Sequence, residues 1–160
     1  MSGNLLTLLR TLAEREIEFM VVGGMAGVLQ GAPVVTADLD IVHRRSNDNV
    51  QRLLSTLKDL EAVFRGDSRK LEPKASHLMG QGHVLLTTRL GPLDVLCEVG
   101  GRGFEELLPH CDSMQLGQQL EAQVVGLDEL IRLKRAAGRP KDLLALPILQ
   151  ATLDELQRKK

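Results

Sequence analysis

Leu5, Leu8, Leu9 and Leu12 recur three and four residues apart, which places them on one stripe of a helix over residues 4–15. Residues 18–22 (Glu-Phe-Met-Val-Val) form a short apolar run that ends at Gly23-Gly24, the signature of a strand leading into a tight turn. Residues 25–30 leave room for about two helical turns, closed by Gly31. Residues 36–42 read as a second strand. In it Asp38 and Asp40 alternate with Leu39 and Ile41, so the two acids project together while the apolar pair points to a core. Asn47-Asp48 offers an N-cap for a helix reaching residue 59, with Val50, Leu53, Leu54 and Leu57 inward.

The stretch 64–81 is polar and carries Gly66, Pro73 and Gly80, which predicts irregular or edge structure. Two β-rich runs, 83–90 and 93–99, flank Gly91-Pro92 and read as a hairpin. A short helix fits 103–110, and weak strand signals surround Gly117 over 113–125. A helix over 127–137 stops at Gly138. Pro140 then opens a last helix that Pro147 should kink or split.

Composition adds limits to this pattern. A chain of 160 residues with 43% apolar and 26% charged residues suits one globular domain. With three Phe and neither Tyr nor Trp, packing rests on aliphatic residues, and the base-stacking platforms of single-strand binders are missing. A net charge of −1 exerts no general pull on nucleic acid or anionic membrane. Cys97 and Cys111 make no disulfide framework, and Cys97 reads as a small core residue. No leader pattern and no apolar run near the ~20 residues of a membrane span are seen, so a cytoplasmic protein is expected.

The chemistry gathers at three acids. Asp38 and Asp40 on one strand face repel each other, and a divalent cation relieves such a pair best. Asp94 lies in a later apolar strand and is the candidate third ligand. A solvated strand end is the plain alternative for the pair, and an edge position for Asp94. Gly23-Gly24 lets a phosphate approach backbone N–H groups, although a simple turn explains two glycines as well. Glu98 shares the face of Asp94 by alternation. Thr36 could touch a ligand or serve β-propensity alone. Lys134 could pair with phosphate or lie on a solvated helix face, and Arg139-Pro140-Lys141-Asp142 could be only a helix start with an exposed ion pair. His43, His77, His83 and His110 show no ligand spacing.

The order Gly23-Gly24, a spacer, Asp38-Leu39-Asp40-Ile41, then Leu93-Asp94-Val95 resembles the nucleotidyltransferase superfamily that shares its fold with DNA polymerase beta. The basic segment Lys134-Arg135 to Lys141-Asp142 is similar to the ending of small bacterial members, including those of toxin–antitoxin and phage-defence loci. The resemblance implies an α/β (α+β) fold with a mixed sheet flanked by helices, a core over about 15–100 and a helical part over about 127–158. It implies Mg²⁺-dependent transfer (Mn²⁺ as an alternative) of a nucleoside monophosphate from a nucleoside triphosphate to a hydroxyl of RNA, protein or a small molecule. Asp38 and Asp40 would hold the ion carrying the triphosphate, and Asp94 would complete a second ion site and help deprotonate the acceptor. Gly23, Gly24, Thr36 and Lys134 would contact the nucleotide.

One position departs from the pattern: Val34 stands where small relatives often carry a basic residue, a role that Arg44, Arg45 or Lys134 would have to assume. The short chain also implies completion by a partner, a second copy of itself or a macromolecular acceptor. A different class, an antitoxin or binding module that keeps the fold with little catalysis, follows from the same features. A metal-dependent glycosyltransferase with an Asp-x-Asp pair ranks below both.

Overall fold

The computed structural model describes residues 3–159. Helix α1 (Gly3–Glu14) buries Leu5, Leu8, Leu9 and Leu12, the stripe expected from their spacing. Strand β1 (Phe19–Val22) is buried at all four residues, as an uninterrupted apolar run must be in the middle of a sheet. Helix α2 (Gly23–Leu29) follows without a linker. Strand β2 (Leu39–His43) starts one residue after Asp38, so the expected strand over 36–42 loses its first three residues to an irregular lead-in.

Helix α3 (Asn47–Asp59) is capped by Ser46, one residue before the expected pair, whose hydroxyl accepts the Asn49 backbone N–H at 3.3 Å. Asn49 itself is buried, and its amide bonds Glu18 N and Glu18 O at 2.7 and 2.9 Å and Arg44 O at 2.8 Å. One side chain thus ties α3 to the ends of β1 and β2. The polar stretch after α3 contains the edge strand β3 (Val63–Phe64) and the short helix α4 (Ala75–Met79).

Strands β4 (Val84–Thr88) and β5 (Gly91–Leu96) form the expected hairpin, but its turn is Arg89-Leu90, with Gly91 at φ +124° already paired to Thr88. The second strand stops at Leu96, short of the expected 99, and Glu98 therefore leaves the face of Asp94. After α5 (Phe104–Leu107) and a 3-10 turn, β6 (Cys111–Gln115) pairs with β7 (Glu121–Val125) around Gly117. Helix α6 (Leu127–Ala137) closes on Gly138 in the left-handed conformation, φ +64°. Helix α7 (Pro140–Arg158) runs through Pro147 as one element. Of the kink or split expected there, the split does not occur. Residue 143, whose carbonyl loses its N–H partner, sits on a half-exposed turn where solvent can replace it, while buried Leu149 holds the far half against the core.

The seven strands form one mixed sheet in the order β3-β4-β5-β2-β1-β7-β6. At its centre β2 is antiparallel to β1 and parallel to β5, and β1 is parallel to β7. The core is aliphatic, with Phe19 and Phe104 as its buried aromatics among the described residues. Cys97 is buried, as expected, its thiol on Gln81 O. Among the described residues no helix is long and apolar enough to cross a membrane.

Candidate functional site

The parallel register of β2 and β5 sets Asp40 directly beside Asp94. Adjacent residues in register point to the same face, so two acids far apart in sequence become neighbours. Asp38 joins them from the residue before β2. Oxygens of Asp38, Asp40 and Asp94 all lie within 4.8 Å of one another, and this is the one acid, histidine or cysteine group among the described residues with a metal-ligand arrangement. Leu39 and Ile41 are fully buried on the other face, as the alternation required.

Burial pushes the Asp40 carboxyl up to about 7, helped by the charge of Asp94, a hydrogen bond with it, and the charge of Asp38, while Lys134 opposes the shift. Its Oδ1 is buried without a hydrogen-bond partner among the described residues. A buried acceptor left unpaired is costly. Three hard carboxylate oxygens with an unsatisfied member match the donor set of Mg²⁺ or Mn²⁺.

Gly23 and Gly24 are required by space. A Cβ at Gly23 would fall 2.2 Å from Asp40 Oδ2, and the residue adopts φ +68°, a region that other residues rarely enter. A Cβ at Gly24 would lie 2.9 Å from Thr36 Cβ and Oγ1. The Thr36 hydroxyl donates to the Asp38 carbonyl at 3.0 Å, which holds the lead-in to β2 in shape. Beside these residues opens a cavity of about 300 Å³, lined by Gly23, Gly24, Thr36, Asp38 and Asp40 on one side and by Lys134, Arg139 and Lys141 on the other.

The cations are organised by Asp142. This carboxylate is fully buried, accepts from Arg139 Nε at 2.6 Å and Nη2 at 3.2 Å, and pairs with Lys134 Nζ at 3.4 Å. Burial pushes the Asp142 carboxyl up, but the Arg139 hydrogen bond and the charges of Lys134 and Arg139 outweigh it and hold the group below its ordinary value. The expected exposed ion pair at this helix start is therefore a buried acid with two cavity-lining cations. Arg44 bonds Glu18 and Glu105 and stacks over Phe104, and Arg45 bonds Gly80 O, so neither replaces the base missing at Val34. Val34 does line the cavity, and Lys134 is the candidate of the three that faces it. Glu98 lines a separate hollow with His43 and Arg45. His43 is buried with Nε2 2.8 Å from Leu78 O, and burial pushes its pKa down.

Sequence reasoning missed Arg65, directly after the edge strand. Its Nη2 lies 2.6 Å from Asp94 Oδ1 and 2.7 Å from Leu86 O. A lone Arg after an apolar pair was the available signal, and nothing local points it at Asp94.

No family model and no curated protein sequence matches the chain. Solved structures do. The lincomycin-bound lincosamide antibiotic adenylyltransferase LnuA superposes with a TM-score of 0.66 at 12% identity, over 95% of this chain and 98% of that one. TM1012 of Thermotoga maritima, a candidate nucleotidyltransferase, gives 0.59 at 15% identity over 100% and 97%. The antibiotic-resistance factor ANT(2'')-Ia gives 0.58 at 13% identity over 96% and 86%. The chain has the nucleotidyltransferase fold. In this nucleotidyltransferase fold the acid cluster, the glycine pair and the cavity of Lys134 sit together at the carboxyl side of β1 and the start of β2.

Proposed function

We propose that the chain is a metal-dependent nucleotidyltransferase that moves a nucleoside monophosphate from a nucleoside triphosphate to a hydroxyl acceptor, with pyrophosphate leaving. The observation that carries this reading is the convergence of Asp38, Asp40 and Asp94 beside a glycine-lined cavity with cations on its far wall. Asp38 and Asp40 would hold Mg²⁺ with the triphosphate, and Asp94 would help hold a second ion. When bound, such ions stabilise charge on the phosphoryl oxygens. Gly23 and Gly24 leave the phosphates room next to Asp40, and Thr36 shapes the loop that presents Asp38. Lys134 and Arg139, preset by Asp142, meet phosphate charge.

The acceptor is a hydroxyl compound. LnuA and ANT(2'')-Ia, an adenylyltransferase bound to lincomycin and a resistance factor, make a small molecule the first class to test, ahead of RNA and protein. A second copy of the chain or a helical partner is supported by exposed Leu144 and Ile148 on α7 and fully exposed Val35 at the cavity rim. Labelled-ATP transfer in lysate, with the product identified by mass spectrometry, tests the reaction. Isothermal titration showing no Mg·ATP binding, with D38N and D40N behaving like wild type, would reject it.

A further inference from the structure

Arg65 sits on the Asp94 side of the acid cluster and belongs to none of the elements that carry the acids. Its Nη2 has two hydrogens, and the two acceptors within reach are Leu86 O on β4 at 2.7 Å and Asp94 Oδ1 on β5 at 2.6 Å. One nitrogen thus bridges two adjacent strands. The Arg65 backbone N–H also donates to Leu85 O at 2.9 Å, which anchors the residue at the end of β4 independently of Asp94. The guanidinium is therefore held by the Leu86 carbonyl as well as by the Asp94 carboxylate, and the backbone bond extends the β3–β4 ladder to Arg65. Its place is built by the sheet.

Asp94 has reason to need such a partner. It stands in register with Asp40 and close to Asp38, so like-charge repulsion favours a rotamer that turns its carboxylate away. We infer that Arg65 is a positioning residue for Asp94. It holds Oδ1 and leaves Oδ2 as the oxygen turned toward an ion. Carboxylate ligands are commonly fixed by such outer partners, whose loss weakens metal affinity about 10- to 100-fold. This inference rests on the nucleotidyl-transfer reading of the cluster and adds a residue to it.

The test measures Mn²⁺ affinity of the whole chain by electron paramagnetic resonance, without nucleotide or acceptor. R65Q is expected to bind Mn²⁺ about 10- to 100-fold more weakly than wild type, with its circular dichroism spectrum kept. In a D94N background the same substitution should change affinity less than about twofold, because Arg65 acts through Asp94. A general structural role would weaken both backgrounds alike. Affinity in R65Q that equals or exceeds wild type overturns the inference, the latter because it would make Arg65 a competitor of the ion. An equal loss with and without Asp94 overturns it too. If R65Q does not fold, R65K takes its place with an expected loss of about three- to tenfold, and unchanged affinity overturns the assignment. Failure of wild type itself to bind Mn²⁺ would instead reject the underlying functional reading.

Discussion

The acids on the strands and the cations on the helices face each other across one cavity but are built in opposite ways. On β2 and β5, Asp38, Asp40 and Asp94 crowd like charges together, and Asp40 Oδ1 is left buried without a partner. On α6 and at the start of α7, Lys134 and Arg139 share the buried Asp142, so the acid is fully paired and the group keeps one net positive charge. The first cluster keeps a like-charge strain that Arg65 and a proton on Asp40 relieve in part and that an added cation would relieve further. The second is preset by its own buried acid, and such a pair of cations would lose little conformational freedom on meeting an anion.

The largest expected effect breaks the acid cluster. Asp40→Asn should lower nucleotide transfer roughly 1,000-fold, about 4 kcal/mol of transition-state stabilisation, measured as single-turnover transfer from labelled ATP. An activity within tenfold of wild type would remove the cluster's claim to chemistry. The cation cluster should respond differently. Arg139→Ala leaves Asp142 buried with Lys134 alone, and should cost roughly 2–3 kcal/mol of stability in urea denaturation. Asp142→Ala should cost less, about 1 kcal/mol, because Arg139 can turn to solvent. Equal losses from the two would mean that burial of Asp142 does not matter.

The glycine pair sharpens the comparison further. Gly23→Ala places a methyl 2.2 Å from Asp40 Oδ2 at a left-handed position, and should weaken Mn²⁺ binding by at least about tenfold. Gly24→Ala meets only Thr36 and should act mainly on the KM for the triphosphate.

A separate effect concerns stability without metal. The Asp40 carboxyl titrates near 7 in the folded chain and near 3.9 when unfolded, so between about pH 4 and 7 the folded state holds the extra proton. Stability of the ion-free protein should therefore fall as pH rises through that window. Asp40→Asn should remove the fall and raise the melting temperature in chelator at pH 8 by about 4–8 °C, roughly 2 kcal/mol after solvent screening. An unchanged melting profile would show that Asp40 is not strained by its neighbours.

How much of this was legible in the chain depends on the distance over which each signal acts. The helix stripe of Leu5 to Leu12, the stop at Gly138 and the strand ending at Gly23 are local patterns, and each appears where its spacing placed it. The errors lie where local rules compete. Ser46 rather than Asn47 caps α3, since its hydroxyl reaches Asn49 N–H. Arg89-Leu90 rather than Gly91-Pro92 makes the turn, because Gly91 is already paired with Thr88. Pro147 does not split α7, whose two halves are each held to the body of the protein, by buried Asp142 before it and buried Leu149 after it.

The sequence by itself determined the partners Asp38 and Asp40, and the glycines before them, because their short chain separation suffices to bring them together even though Asp38 lies just before β2. Only the tertiary structure decided that Asp94 stands in register with Asp40, that Arg65 reaches it across β4, and that Asp142 is buried between two cations. These contacts join residues whose neighbourhood is set by sheet pairing and helix packing. Burial of a charge is a property of everything folded around it, and no local window of residues contains that information.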